Sequence, residues 1–333
     1  MQVERSEFVQ VSRFVAAFLV VITHTTFYAS ERIGSELGVW HVGEIGVPIF
    51  FAISGLVMVL STTRLPVDAK GAQTFLLRRF VRIVPLYWLA TAVKVAVALA
   101  APAVVNHNHF EAANAVKSFL FIPYFNAAGE VRPMHGVGWT LLHEVFFYLL
   151  FAGALSARLR PVIWVPGAIV ALWVVGLLIE DKSAFVTVAT SAVNLNFVAG
   201  MVAGALLSSA VPKTGAAAAM AGCAVLLGWL VGATPGVVVA FCAAVLLLGS
   251  LHMGRVAKPF VVLGDSSYSL YLFHPFIAPA LVVLLGRKLG QPPSVAVAVT
   301  CLATVIACHV IHLIIERPVV RRVRGALAAR QLV

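Results

Sequence analysis

Charge is what this sequence has least of. Only 11% of its 333 residues are Asp, Glu, Lys or Arg, and acids are the scarcer sign, 13 against 24 basic residues. A soluble globular chain carries about a quarter charged and about half apolar residues. Here 61% are hydrophobic and the mean hydropathy is +0.99, which excludes a soluble domain of any size. Cysteine is sparse too. Cys223, Cys242, Cys301 and Cys308 all fall inside apolar runs, with neither metal-ligand spacing nor a disulfide framework. No metal and no permanently bound cofactor is expected. Low-complexity stretches and clear internal repeats are also missing. The first apolar run contains Arg13 and is followed by no small-residue cleavage site, so it reads as a span rather than a signal peptide.

What is present is a series of apolar runs, each long enough to cross about 30 Å of hydrocarbon. Ten spans account for them: 9–28, 44–61, 80–101, 139–155, 162–180, 186–208, 215–232, 236–251, 263–285 and 294–316. A turn at Thr234, Pro235 and Gly236 parts the seventh from the eighth. The fold expected is an all-α polytopic membrane bundle. It forms one membrane-embedded domain over 1–333, with its spans inside 9–316 and a basic cytoplasmic tail at 317–333.

The net charge of +11 could suggest nucleic acid, but its distribution argues against that partner. Basic residues cluster in alternate short loops: Arg64, Lys70, Arg78, Arg79 and Arg82, then Arg158 and Arg160, Lys213, Arg255 and Lys258, and the tail from Arg317. The other loops hold only Arg32, Lys117, Arg132, Lys182, Arg287 and Lys288. Under the positive-inside rule both termini are cytoplasmic. One outer loop, 102–138, is long and contains His107, His109, Glu111, Pro123, Tyr124, Arg132, Pro133 and His135. Loops of this length are usually functional or disordered. Gly200 and Gly204, four apart, read as a helix-packing face.

The charges that do lie in spans cost about 2.5–3.5 kcal/mol each at a bilayer centre, so each needs a partner or a purpose. "RFVAAFLVVITH" places Arg13 and His24 eleven positions apart. At about 100° per residue that is about 20° past three turns, so both side chains share one face, about 16 Å apart along the axis. Snorkelling of Arg13 to the headgroups, with His24 at the opposite interface, explains the pair equally well. "GWTLLHEVFFYLLF" (138–151) buries Glu144 beside His143, with Tyr148 one turn on. A carboxylate there can orient an imidazole, bind a hydroxyl or carry a proton; the structural alternative is a buried ion pair within an aromatic belt. Arg78 and Arg82, one turn apart at the start of the third span with Arg79 between them, suit phosphates or plain anchoring. Two polar stripes follow. Ser267, Tyr271 and His274 form one, with Asp265 or Ser266 as a helix cap and Pro275 as a kink. His309, His312 and Glu316 form the other, with Pro318 expected to end that helix. Either stripe can serve inter-helix hydrogen bonding alone.

Together these stretches resemble the membrane-bound acyltransferase-3 family, which O-acylates bacterial surface and exported sugars. Arg13 and His24 match its Arg-x10-His pair, "GVPIFFAISGLVM" (46–58) its second-span motif, and "RRFVRIVPLYW" (78–88) its Arg-rich third span. "GWTLLHEVFFY" (138–148) is similar to the family's Trp-Ser/Thr-Leu-x-x-Glu-x-x-Phe-Tyr motif, in the form seen in exopolysaccharide-production acetyltransferases. "LGDSSYSLYLFHP" (263–275) and "ERP" (316–318) match the closing motifs. Many relatives have another residue at His143.

The resemblance implies a multi-pass enzyme of the bacterial cytoplasmic membrane. It implies transfer of an acyl group, usually acetyl, from acyl-CoA to a hydroxyl of a polysaccharide or lipid-linked sugar. On this reading Arg13, with Arg78 and Arg82, engages the CoA end. His24 is general base or transient acyl carrier, roles suited to an imidazole near pH 7. Glu144 orients His24 or the acceptor, and Ser54, Tyr148, Tyr271 and His274 line the cavity. The alternative is a transporter using the same His, Glu and Arg as a proton relay.

Overall fold

The computed structural model describes residues 7–100, 111–208 and 258–329. Among them no β-strand forms, and an isolated bridge joins Phe125 to Val131. The elements are α1 (Glu7–Ile33), α2 (Gly46–Thr62, entered through a 3-10 turn at His41–Ile45), α3 (Ala69–Ala100) and α4 (Ala112–Phe119). Then come α5 (Trp139–Ser156), α6 (Pro161–Gly176), α7 (Ala184–Ala189) and α8 (Leu195–Ser208). Last are α9 (Lys258–Asp265), α10 (Ser267–Val283), α11 (Pro293–Ile311) and α12 (Arg317–Ala329).

Seven helical stretches among the described residues are long and apolar enough to cross a membrane, and α6 is a shorter apolar helix. These correspond to eight of the ten expected spans. The spans expected at 215–232 and 236–251, with Cys223 and Cys242, lie outside the described residues. So do Lys213, Arg255, and His107 and His109 of the long loop.

Three local expectations change. The third span begins at Ala69, not near residue 80, because Asp68 accepts a hydrogen bond from the Gly71 N–H at 2.8 Å and starts the helix. Its arginines therefore lie about two to four turns inside the helix. Ser266 precedes α10 but does not cap it; its hydroxyl donates to the Leu263 carbonyl at 2.9 Å. Pro318 does not end the last helix. A π-turn at His312–Glu316 leads directly into α12. The wider turn changes the carbonyl register ahead of the proline ring, and its missing N–H falls near the start of the new helix, where proline is tolerated. The segment expected as a basic tail is thus helical as far as Ala329.

α1 packs against α2, α9, α10 and α11, while α3 packs on α5 and α8 on α2. In lipid such contacts hold by close packing rather than by hydrophobic burial. Small residues make the α2–α8 contact close. A Cβ on Gly55 would collide with the Phe197 carbonyl, one on Gly200 with that of Ala52, and one on Gly204 would come 2.9 Å from Val59 Cβ. The packing role expected of Gly200 and Gly204 is what the helices show. Residues 111–138 form an ordered cap on the bundle. The Tyr87 hydroxyl donates to Ser118 O (3.1 Å), Trp88 Nε1 to Phe119 O (2.8 Å) and Met134 N to Ser118 Oγ (2.9 Å).

Candidate active site

α1, α2, α3, α5 and α10 enclose a narrow cavity of about 80 Å³. Its polar wall is made by Arg13, Ser54, Arg79, Arg82, Thr140, Glu144, Tyr148, Tyr268 and Tyr271. Three guanidinium groups face one carboxylate there, so the cavity is electropositive. The charged groups around Arg13 are Arg82, Glu316, Glu144 and Asp265, each from a different helix. Glu144 Oε1 accepts hydrogen bonds from Ser54 Oγ at 3.1 Å and from the Tyr148 hydroxyl one turn along α5. Arg79 is buried, donates to Ser61 Oγ at 3.2 Å and lies over the Phe75 ring. Tyr268 donates to the Ile83 carbonyl at 2.8 Å and joins α10 to α3.

At the other end the groups that bond to one another are rings and hydroxyls, with Arg132 and Glu44 as the charges felt by His24. Tyr271 lines the cavity, donating to Val137 O at 3.0 Å and lying 2.9 Å from Thr140 Oγ1. One turn further along α10, His274 is fully buried and pairs with His24. His24 Nδ1 and His274 Nε2 are 2.6 Å apart and the rings stack at 4.9 Å. His135, from the cap, stacks on Phe276 at 5.1 Å and donates from Nε2 to Leu272 O at 2.9 Å. Burial, which penalises the charged ring, pushes His135 down to about 4.

The structure thus brings Arg13, Arg82, Glu144, Ser54, Tyr148 and Tyr271 around one cavity. His274, expected in the lining, does not reach it, nor does His24, and Arg78 is not among the lining residues either. Arg78 is exposed, and Arg79 stands in the wall instead. Turn arithmetic alone did not separate them, since both lie about one turn from Arg82. Glu144 bonds to Ser54 and Tyr148, and the partner of His24 is His274. His143 donates from Nδ1 to Asn194 Oδ1 at 2.9 Å, while Asn194 Nδ2 holds the Val188 carbonyl at 2.8 Å. That arrangement ties α5 to the turn before α8. Tyr268 and Thr140 carry no sequence signal of their own beyond their place within the quoted motifs. Glu316 was seen as a stripe residue. It accepts from Ser269 Oγ at 2.6 Å and His312 Nδ1 at 2.8 Å, and it is a counter-charge to Arg13.

A family model described as an acyltransferase domain matches residues 7–313. The exopolysaccharide production protein ExoZ of Rhizobium meliloti (strain 1021) is 33% identical over 316 residues, covering 90% of this chain and 95% of that protein. No solved structure matches.

Proposed function

This chain belongs to the acyltransferase-3 family of integral membrane acyltransferases, and we propose that it moves an acetyl group from acetyl-CoA to a sugar hydroxyl of an exopolysaccharide or its lipid-linked precursor. The observation that carries this reading is the layout of α1. Arg13 stands in a cavity with two further arginines, and His24 lies about three turns on, along the same helix.

Fixed guanidinium groups suit the phosphates of CoA, since arginine stays charged at every relevant pH and binds phosphate oxygens in pairs. The pantetheine arm is thin and flexible, as a narrow cavity requires, and its extended length is comparable to the Arg13–His24 separation. In this reading the thioester carbon arrives beside His24. The sugar oxygen attacks that carbon while His24 takes the hydroxyl proton. The C–O bond forms, the C–S bond breaks, and the proton passes from His24 to the departing CoA sulfur. Glu144, held by Ser54 and Tyr148, balances part of the positive charge of the cavity wall.

We place the Arg13 end on the cytoplasmic side. Arg13 feels the charge of Glu316, where the arginine-bearing α12 begins, and that is the charge bias of inside segments. His24 then lies toward Arg132 of the cap and Glu44 of the turn that leads into α2, at the far end. The test uses membrane vesicles containing the full chain, prepared from exopolysaccharide-producing cells that lack their own copy of the gene. Radiolabelled acetyl-CoA is added and label is measured in the polymer and lipid-linked fractions. Incorporation that depends on the chain supports the reading. A chain-dependent proton flux with no label transfer would favour a transporter.

A further inference from the structure

Both ring nitrogens of His274 are engaged, and each can be engaged in only one way. Nδ1 lies 3.0 Å from the Leu270 carbonyl, one turn back on α10. The ring also interacts with the Tyr271 backbone. The next residue, Pro275, explains why that second carbonyl is free: proline has no N–H to donate to the carbonyl four residues back. Carbonyl oxygens only accept, so Nδ1 of His274 carries a hydrogen. The ring is fully buried, and no carboxylate is bonded to it among the described residues. A second proton would leave an unpaired buried charge, so the ring is neutral. Its Nε2 is therefore bare and can only accept. The group facing it at 2.6 Å is His24 Nδ1, which must carry the hydrogen of that bond.

We propose that His274 is a positioning residue that selects the tautomer of His24. It holds the hydrogen on His24 Nδ1 and leaves His24 Nε2 as the basic atom. The proposal rests on the acyl-transfer reading, in which His24 is the base. In that reaction the hydroxyl proton moves to His24 Nε2, and the imidazolium so formed keeps its Nδ1–H on His274 Nε2. The proton then leaves from Nε2 to the CoA sulfur, and the hydrogen on Nδ1 never moves. His274 thus takes the place a carboxylate occupies in acid–base–nucleophile triads, but as a neutral acceptor with its own proton fixed by the helix backbone.

The vesicle assay with radiolabelled acetyl-CoA tests this. His274→Phe keeps a ring but has no acceptor. Its kcat should fall about 100-fold, within the range assigned to acid–base catalysis, while KM for acetyl-CoA stays within about 2-fold. His274→Gln can place its amide oxygen near the Nε2 position, and it should recover kcat to within about 5-fold of the native chain. In a His24→Ala background, His274→Phe should cost nothing further. If His274→Phe does not insert, His274→Leu, apolar and without an acceptor, takes its place in both the single and the double variant. A Gln variant as poor as the Phe variant, or a fully active Phe variant, overturns the proposal while leaving acyl transfer intact. Absence of label transfer by the native chain overturns the acyl-transfer reading and the tautomer role with it.

Discussion

The two ends of the site share a helix and are built on opposite principles. Around Arg13 the wall is set by charged side chains, Arg82, Arg79, Glu144 and Glu316, each from an element other than α1. Around His24 the groups in hydrogen-bond contact are rings and hydroxyls whose hydrogens are held by backbone carbonyls, as at His274, Tyr271 and His135, and the charges it feels, Arg132 and Glu44, are of opposite sign. The physics requires this division. A phosphate-binding wall needs charge that never titrates, and a base must be able to gain a proton. A unit positive charge opposes an imidazolium by about 4 kcal/mol at ~4 Å but only about 1 kcal/mol at ~16 Å, for an effective dielectric of ~20. Three arginines beside His24 would disable it. Eleven residues of helix keep them apart while holding both groups on one face.

The comparison breaks most completely at His24. His24→Ala should lower label transfer at least about 1,000-fold while acetyl-CoA still binds, measured as retained protection of the thioester or by equilibrium binding. Loss of binding in step with loss of turnover would show that the two ends are not separate. Next in size is Arg13→Lys, which keeps the charge and removes the planar fork. KM for acetyl-CoA should rise about 10-fold with kcat within about 3-fold, since the lost hydrogen bonds are made to the donor and not to the reacting atoms. An unchanged KM would reduce Arg13 to a membrane anchor. Glu144→Gln tests the carboxylate in the arginine wall. The amide can still accept from Ser54 and Tyr148, so the fold is kept, but the wall loses its one negative charge. Donor binding should be unchanged or tighter, with kcat falling about 5- to 10-fold. A weaker donor KM would contradict the electropositive reading of the cavity.

Much of the charged end was legible in the sequence. Arg13, Arg82 and Glu144 are costly groups in apolar runs, and cost alone marks them. The spacing of Arg13 and His24 gives their shared face by arithmetic. Gly200 and Gly204 were equally readable as a close helix contact, and the helices bear it out at Ala52 and Val59. What could not be read is any partner on another helix. His24 meets His274 across 250 positions and Ser54 meets Glu144 across 90, and periodicity within one helix carries no information about which helix lies beside it. The same limit explains Arg78. The sequence places it one turn from Arg82, but only the packing of α3 shows that Arg79 turns inward and Arg78 outward. The helical continuation past Pro318 was hidden for another reason. Proline is a stop signal in α-helical geometry, and the π-turn that accommodates it has no signature in composition.

The smallest expected effect concerns the neutral end from outside the spans. His135 anchors the cap through Leu272 O and sits near His274 without touching the charged wall. Burial holds it at about 4, against an ordinary value near 6.5. Between those two values the unfolded chain binds more protons than the folded one, so stability falls as pH drops from about 6.5 to about 4 and is unaffected by this ring above that window. The slope contributed by one such group is at most about 1.4 kcal/mol per pH unit. His135→Gln keeps a donor for Leu272 O but cannot titrate. The apparent melting temperature of the variant in detergent should therefore decline less steeply than that of the native chain between pH 6.5 and 4. Above pH 6.5 the difference between the two should be constant, and label transfer at pH 7.5 should change less than about 3-fold. Parallel acid profiles for the two chains would mean that the ring is not buried as a neutral anchor. The neutral character of this end would then rest on the His24–His274 pair alone.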